Sequence, residues 1–239
     1  MALLLGLGLC GLAAAAVGVA HQLMPRQFTA AQERKIMAWD MTRRWRALSA
    51  GQIFPAAVAY KIPGQAVNSS QALVLHANRL VISPATGCAS GVSRGAATVL
   101  AANHCSALLR ATYLDSSGSM VVTVGVAVLP DGQAASAAAR ALTAHGQDLA
   151  LAVRALPVAG TVASRFADGQ RQLSDIESAG PYVILTTAGF TDGRRQVRLS
   201  SDYYYDQEMT SLAAGLTNAA TSLLGAQPPI PRCPGSPGC

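Results

Sequence analysis

Two β-rich runs, Leu109-Arg-Ala-Thr-Tyr-Leu114 and Met120-Val-Val-Thr-Val-Gly-Val-Ala-Val-Leu129, stand on either side of the polar segment Asp115-Ser-Ser-Gly118. β-Branched and aromatic residues favour strands, and a short polar segment that ends in glycine favours a turn. The stretch from Leu108 to Pro130 therefore predicts a β-hairpin, which is the strongest secondary-structure signal in the chain.

The signals that follow the hairpin predict a mixed fold. Pro130-Asp131-Gly132 ends the hairpin, and the alanine-rich residues 133–145 predict a helix. Further strands are predicted at residues 149–156 and 182–190, with a short additional one at 194–199. The order β-β-α-β-β predicts an α+β fold, an antiparallel sheet of about 4–5 strands with helices packed on one face.

The segments on the two flanks of this region extend the same pattern. Residues 53–62 and 72–82 have strand character, and residues 93–109 predict a helix that contains Cys105. After the sheet, Ser201 or Asp202 caps a final helix that ends near Leu224. Gly215 and the Ser and Thr residues of that helix indicate close packing.

The N-terminal segment predicts a membrane anchor. Ala2 to Ala20 is an uninterrupted apolar run, about the minimum length that crosses ~30 Å of hydrocarbon as a helix. The alternative is a signal peptide, because Gly18 and Ala20 are the small residues that a cut before His21 requires. No basic residue precedes the run, so we favour a transmembrane helix that is not cleaved.

A basic amphipathic helix is expected directly after this run. Thr29 and Gln32 form a capping box, and apolar residues from Met37 to Leu48 recur at helical spacing. The helix either docks on the domain as a stalk or lies on lipid with Trp39 and Trp45 at headgroup level. Anionic headgroups attract basic residues near the surface by about 1 kcal/mol each. The basic residues concerned are Arg26, Arg34, Lys35, Arg43, Arg44 and Arg46.

The net charge of +6 does not indicate a nucleic-acid partner. A nucleic-acid-binding protein has a concentrated basic face, usually with stacking aromatic residues or a recognisable module. Beyond the segment next to the apolar run, the basic residues are scattered singly, apart from Arg194-Arg195. Membrane lipid is therefore the expected partner of the basic flank, and nucleic acid is not.

Two closely spaced cysteine pairs predict disulfides. The sequence leaves their connectivity open, and the local pairing of Cys88 with Cys105 and of Cys233 with Cys239 is the economical choice. The first bridge closes a loop of about 17 residues, for which loop entropy predicts about 3 kcal/mol of stabilisation. Neither pair has CxxC spacing, so a metal site is not expected, although His104 lies next to Cys105. Disulfides persist in oxidising compartments, which favours a domain outside the cytoplasm. The basic flank argues for the opposite orientation.

Two short words resemble the catalytic segments of trypsin-like serine proteases. Ala101-Ala102-Asn103-His104-Cys105 is similar to their histidine segment, and Asp148-Leu149-Ala150-Leu151 is similar to their aspartate segment. An extra Asn103 splits the first word, the Gly-Asp-Ser-Gly-Gly nucleophile loop is absent, and no oxyanion hole is evident. We expect no catalytic residue, and a hydrolase that uses His104 and Asp148 is the alternative.

No other residue indicates a catalytic or ligand-binding site. His76 alternates with apolar residues on a predicted strand, and Tyr203-Tyr204-Tyr205 at a helix start is expected to pack on the sheet rather than to form a ligand rim. No GxGxxG, P-loop, HExxH or EF-hand pattern occurs, so no cofactor is expected.

Several longer words resemble those of a family of uncharacterised actinobacterial membrane-anchored proteins of the cell envelope. The resemblance extends over most of the chain and implies an envelope setting but no activity. The words are Gln27-Phe-Thr-Ala-Ala-Gln-Glu-Arg34, Trp45-Arg-Ala-Leu-Ser-Ala-Gly-Gln-Ile-Phe-Pro55, Leu109-Arg-Ala-Thr-Tyr-Leu-Asp115 and Pro231-Arg-Cys-Pro-Gly-Ser-Pro-Gly-Cys239.

The predicted organisation has four parts. They are an anchor or signal segment at 1–22, a basic juxtamembrane helix at 23–51, an extracytoplasmic α+β domain at 52–226 and a Pro-rich, disulfide-closed tail at 227–239. The expected function is a binding, sensing or assembly module without a catalytic site, held at the plasma membrane by a single span. An envelope protein is an expected partner. The alternative location is outside the cell, after cleavage of the signal.

Overall fold

The structure is a computed structural model, and it describes residues 28–64, 70–144, 146, 148–196 and 203–227. The chain divides into two units, and one of them is the compact unit formed by Asp40–Ala226. The second unit contributes residues 28–39 and 227 to the described part of the chain. The predicted anchor and the predicted Cys233–Cys239 pair lie outside the described residues. None of the helices in the described ranges is long and apolar enough to span a membrane.

The compact unit is built on one antiparallel sheet of six strands, in the order β1-β2-β3-β4-β6-β5. Each strand pairs with the next one along the chain, except that β4 pairs with β6 instead of β5. As a result, β5 lies at one edge of the sheet and β1 at the other. The strands are β1 Ala57–Ile62, β2 Leu73–Thr86, β3 Ala107–Asp115, β4 Met120–Val128, β5 Arg171–Ala179 and β6 Tyr182–Phe190.

Five α-helices accompany the sheet in the described ranges: α1 Ala30–Ala47, α2 Ala50–Ile53, α3 Arg94–Ala102, α4 Gly132–Thr143 and α5 Tyr203–Gly225. The predicted hairpin is confirmed as β3 and β4, which pair from Ala107–Val128 to Leu114–Val121. Asp115 closes its turn by accepting hydrogen bonds from the amides of Ser117 and Met120, both at 2.7 Å.

Helices cover both faces of the sheet, and the prediction that they pack on one face is wrong. α5 packs on the face that carries Val124 and Val126, whereas α3 and α4 pack on the face that carries Ala127 and Leu185. The physical reason lies in the central strands, because every residue of β4 and of β6 is buried. Such strands read as continuous apolar runs and require a layer on each side.

One predicted strand is wrong, a second is not a strand in its described half, and one strand was not predicted. Residues 149–156 form a short 3-10 helix, Leu149–Leu151, followed by a single bridge from Val153 to Val92. Residues 194–196 are not a strand, and 197–199 lie outside the described residues. β5 was missed because its sequence, Arg-Gln-Leu-Ser-Asp-Ile-Glu-Ser-Ala, has little strand character, and its pairing with β6 overrides that preference. The α+β class is confirmed, with six strands instead of about 4–5.

Candidate functional site

A groove of about 510 Å³ lies between the edge strand β1 and the helix α5. One wall is the strand and the other is one side of the helix, where every side chain is small. We call this cavity the β1/α5 groove. Its lining residues are Ala59, Tyr60 and Lys61 from β1, and Thr210, Ser211, Ala214, Gly215, Asn218, Ala219 and Ser222 from α5.

Gly215 allows the helix to approach the strand. A Cβ placed on Gly215 would stand 2.5 Å from the Cβ of Tyr60, a separation that side chains do not adopt. The close packing predicted for Gly215 is therefore confirmed. Because the ring of Tyr60 is buried beneath the helix, the strand is held at a fixed distance from α5.

The backbone of β1 has one side that no described strand pairs with. The carbonyl of Ala56 accepts a hydrogen bond from the amide of Arg79 at 2.8 Å. Ala56 and Arg79 are therefore a hydrogen-bonded pair of the ladder between this segment and β2. In an antiparallel ladder the hydrogen-bonded residues alternate. Ala57, Ala59 and Lys61 therefore direct their N–H and C=O groups away from β2, towards the outer edge of the sheet.

The groove is close to neutral and presents both polar and apolar groups. Hydroxyl and amide side chains line the helical wall, and Lys61 is the one ionisable side chain among the lining residues apart from the buried phenol of Tyr60. Such a surface combines hydrogen-bonding groups with the apolar surface of its alanines. It suits a polypeptide segment, which brings both a polar backbone and side chains that can pack.

The structure does not bring His104 and Asp148 together. Ala150, two residues after Asp148, accepts a hydrogen bond from the hydroxyl of Ser93 at the start of α3. His104 follows the other end of this helix, whose nine residues span about 14 Å. Both side chains are exposed, and the described contacts include no hydrogen bond between them.

Each of these two residues has a local structural role. His104 has φ 58° and ends α3 in the left-handed conformation. The amide of His104 bonds the carbonyl of Ala101, and the amide of Cys105 bonds that of Leu100, which is the Schellman pattern of a helix end. Asp148 accepts from the amide of Ala150 at 2.8 Å and so caps the 3-10 helix that it precedes.

The remaining predicted residues lie apart from the groove or outside the described part. Cys88 and Cys105 form a disulfide, which joins the loop before α3 to the end of that helix. His76 is exposed on β2, opposite Ala59. The side chains of Tyr203, Tyr204 and Tyr205 are not described. Among the described residues, no group of three His, Cys, Asp or Glu side chains is placed to hold a metal ion.

Sequence reasoning missed the groove, although part of its signal was present. The small residues of α5 were interpreted only as a packing surface, and β1 was predicted without its position at the sheet edge. No protein-family profile, curated protein or solved structure matches the chain.

Proposed function

We propose that the chain is a non-enzymatic binding, sensing or assembly module of the cell envelope, held outside the plasma membrane by its N-terminal segment. We further propose that it binds an extended segment of a partner protein in the β1/α5 groove. The observation that carries this proposal is the outer edge of β1, which pairs with no strand of the described residues and lies along a groove walled by small side chains.

An extended segment can add to β1 as a further strand. Main-chain hydrogen bonds then supply affinity, and the side chains that point towards the helix supply specificity. Ala59 and Lys61 offer outward N–H and C=O groups on β1. The small residues of α5 leave room for the side chains of the ligand. Because the ammonium group of Lys61 stands at this edge, an acidic side chain in the ligand strengthens the complex.

The proposed location rests on two features. The disulfide between Cys88 and Cys105 suits an oxidising compartment. On α1, Arg34, Lys35 and Arg46 are exposed and Trp39 is 61% exposed, as required of a helix that meets anionic headgroups. An uncleaved anchor keeps the domain at the membrane, and cleavage releases it outside the cell.

Selection of peptides from a random phage-displayed library tests the binding proposal, with the purified full-length chain as bait. Ala59→Pro removes one outward N–H, and it leaves the bonds to β2 intact because that N–H points away from β2. Ala59→Val is the matched control, since it retains the N–H. We expect selected peptides to bind the wild type and Ala59→Val but not Ala59→Pro, with all three chains folded.

Equal binding of the selected peptides to Ala59→Pro would overturn strand addition. Catalytic turnover by the full-length chain that depends on His104 and Asp148 would instead favour the hydrolase alternative. Thiol labelling in native membranes tests the location. Cysteines at 88, 105, 233 and 239 that react only after reduction support an extracytoplasmic domain, and four free thiols contradict it.

A further inference from the structure

Arg110 carries a guanidinium group whose Nε atom is left without a hydrogen-bond partner by the described residues. It lies on β3 and projects onto the face of the sheet opposite α5, next to Leu108. Its Nε atom is buried and has no hydrogen-bond partner among the described residues. Gly91 covers it closely, because a Cβ on Gly91 would stand 2.9 Å from that Nε.

Two further arginines, Arg154 and Arg171, are linked to the same region through Asp168. The amide of Arg154 donates to the carbonyl of Gly91 at 2.9 Å, so the backbone of Arg154 runs beside Arg110. The Nε of Arg154 lies 2.7 Å from Oδ2 of Asp168. Arg171 Nε lies 3.6 Å from Oδ1 of the same carboxylate. The carboxylate of Asp168 therefore already forms ion pairs with two arginines, without counting Arg110.

The charges of this cluster do not balance. Arg154 and Arg171 form ion pairs with Asp168, and Arg110 lies near enough to be affected by the charges of Arg154 and Asp168. Among the described residues, these three guanidinium groups and one carboxylate leave a surplus of two positive charges. Arg171 is accounted for, because its Nη1 also donates to the carbonyl of Val153 at 3.1 Å and its side chain is nearly buried. Burial lowers the pKa of Arg110, the charge of Arg154 lowers it further, and Asp168 acts in the opposite direction.

We propose that Arg110 and Arg154 form a binding site for a phosphate group. A phosphate monoester carries about −1.5 to −2 charges near neutral pH, which matches the surplus of the cluster. Guanidinium groups bind phosphate oxygens through paired, charge-assisted hydrogen bonds. The side chains of Arg154 and Asp168 are 53% and 35% exposed and Arg110 is half-buried, so a ligand reaches the cluster from the side of Arg154.

Asp168 has a defined role in this arrangement. It accepts from Arg154 and also from the amide of Ala155 at 2.9 Å, so its carboxylate is directed at the protein. It fixes the guanidinium of Arg154, whose charge acts on Arg110, and leaves the surplus charge to the ligand. The phosphate site lies on the face opposite the β1/α5 groove, and it does not depend on the function proposed for that groove.

Thermal unfolding of the full-length chain in an alkyl maltoside, a detergent without phosphate, tests the site. Inorganic phosphate is titrated against sodium chloride of equal ionic strength. We expect phosphate to raise the Tm of the wild type beyond the effect of chloride. Arg110→Met retains the apolar stem of the side chain, and we expect it to weaken phosphate binding at least about tenfold, or ~1.4 kcal/mol.

Two further variants make the outcome unambiguous. Arg154→Gln changes an exposed side chain and is expected to weaken phosphate binding similarly, so it decides the matter if Arg110→Met fails to fold. Arg140→Met on α4 is the control and is expected to bind phosphate as the wild type does. A purely structural Arg110 gives the opposite pattern: phosphate does not stabilise the wild type, and Arg110→Met lowers Tm in chloride.

The source of the phosphate group is distinguished by a second probe. Dihexanoyl phosphatidylglycerol below its micelle concentration presents the diester headgroup of a lipid. Tighter binding of this lipid than of inorganic phosphate assigns the site to a headgroup, and the reverse assigns it to a free phosphate. If neither probe binds in a manner that depends on Arg110 or Arg154, the proposal is overturned.

Discussion

Gly215 on α5 lies directly against Tyr60 on β1, and a Cβ on the glycine would stand 2.5 Å from the Cβ of the tyrosine. This contact sets the distance between the helix and the edge strand. It therefore sets the width of the β1/α5 groove, which both residues line.

Gly215→Ala is expected to destabilise the domain. Overpacking at a site of this kind costs about 1–3 kcal/mol. Alanine recovers at most about 1 kcal/mol through its better helix propensity. Urea denaturation of the full-length chain measures the difference. Asn218→Ala, an exposed change on the same helix, is the control and is expected to be neutral. A Gly215→Ala variant as stable as the wild type would show that the helix and the strand are not in close contact.

Two buried tyrosines form a matched pair of tests. The hydroxyl of Tyr60 has no hydrogen-bond partner among the described residues, whereas that of Tyr113 donates to the carbonyl of Pro55 at 2.9 Å. Tyr60→Phe removes an unsatisfied group and is expected to be neutral or stabilising. Tyr113→Phe loses a bond and is expected to cost about 1 kcal/mol. Equal costs for the two variants in urea denaturation would contradict these contacts.

The left-handed conformation of His104 predicts that glycine is preferred at this position. A side chain in that conformation costs about 1–2 kcal/mol, and glycine avoids this cost at the expense of a more flexible unfolded chain. His104→Gly is therefore expected to raise stability by about 0.5–1 kcal/mol. His104→Ala retains the backbone strain of the left-handed conformation, so its free energy of unfolding is not expected to rise. If both variants are equally stable, the structural role assigned to His104 is wrong.

Glu208 gives the domain a pH dependence. Burial and the nearby Asp115 raise the pKa of Glu208. Burial, with Glu208 and Asp115, also raises the pKa of Tyr60. A carboxyl whose pKa is raised by folding favours the folded state while it is protonated, and this contribution is lost as pH rises through the folded pKa.

Glu208→Gln is therefore expected to stabilise the domain near neutral pH. The gain should be largest at about pH 7 and should shrink at about pH 3.5, below the usual pKa of a glutamate in an unfolded chain. Urea denaturation at the two pH values measures it. A gain that is the same at both would show that the charge of Glu208 is not the cause.

The parts of the fold that the sequence predicted correctly are those with local signals. The β3–β4 hairpin has dense β-branched residues and a polar turn, and α4 has an alanine-rich run that begins after Asp131. Asp131 caps that helix by accepting from the amide of Ala134 at 2.8 Å. These elements depend on neighbours in sequence, so the pattern was sufficient.

The parts that were missed depend on contacts distant in sequence. β5 becomes a strand through its pairing with β6, and residues 149–156 are drawn into a connection that crosses the face of the sheet. The groove exists only because α5 packs beside β1, and the cluster around Arg110 exists only because Gly91, Arg154 and Asp168 meet there. The spacing of residues along the sequence gives no signal for these long-range contacts.

Hydrogen exchange at the backbone amides of β1 tests the central claim most directly. A peptide selected on the full-length chain is added, and exchange is followed by nuclear magnetic resonance. Strand addition predicts that the outward amides of Ala59 and Lys61 slow at least about tenfold, while that of Tyr60, already turned towards β2, changes little. Binding that leaves the amides of Ala59 and Lys61 unprotected would contradict the account.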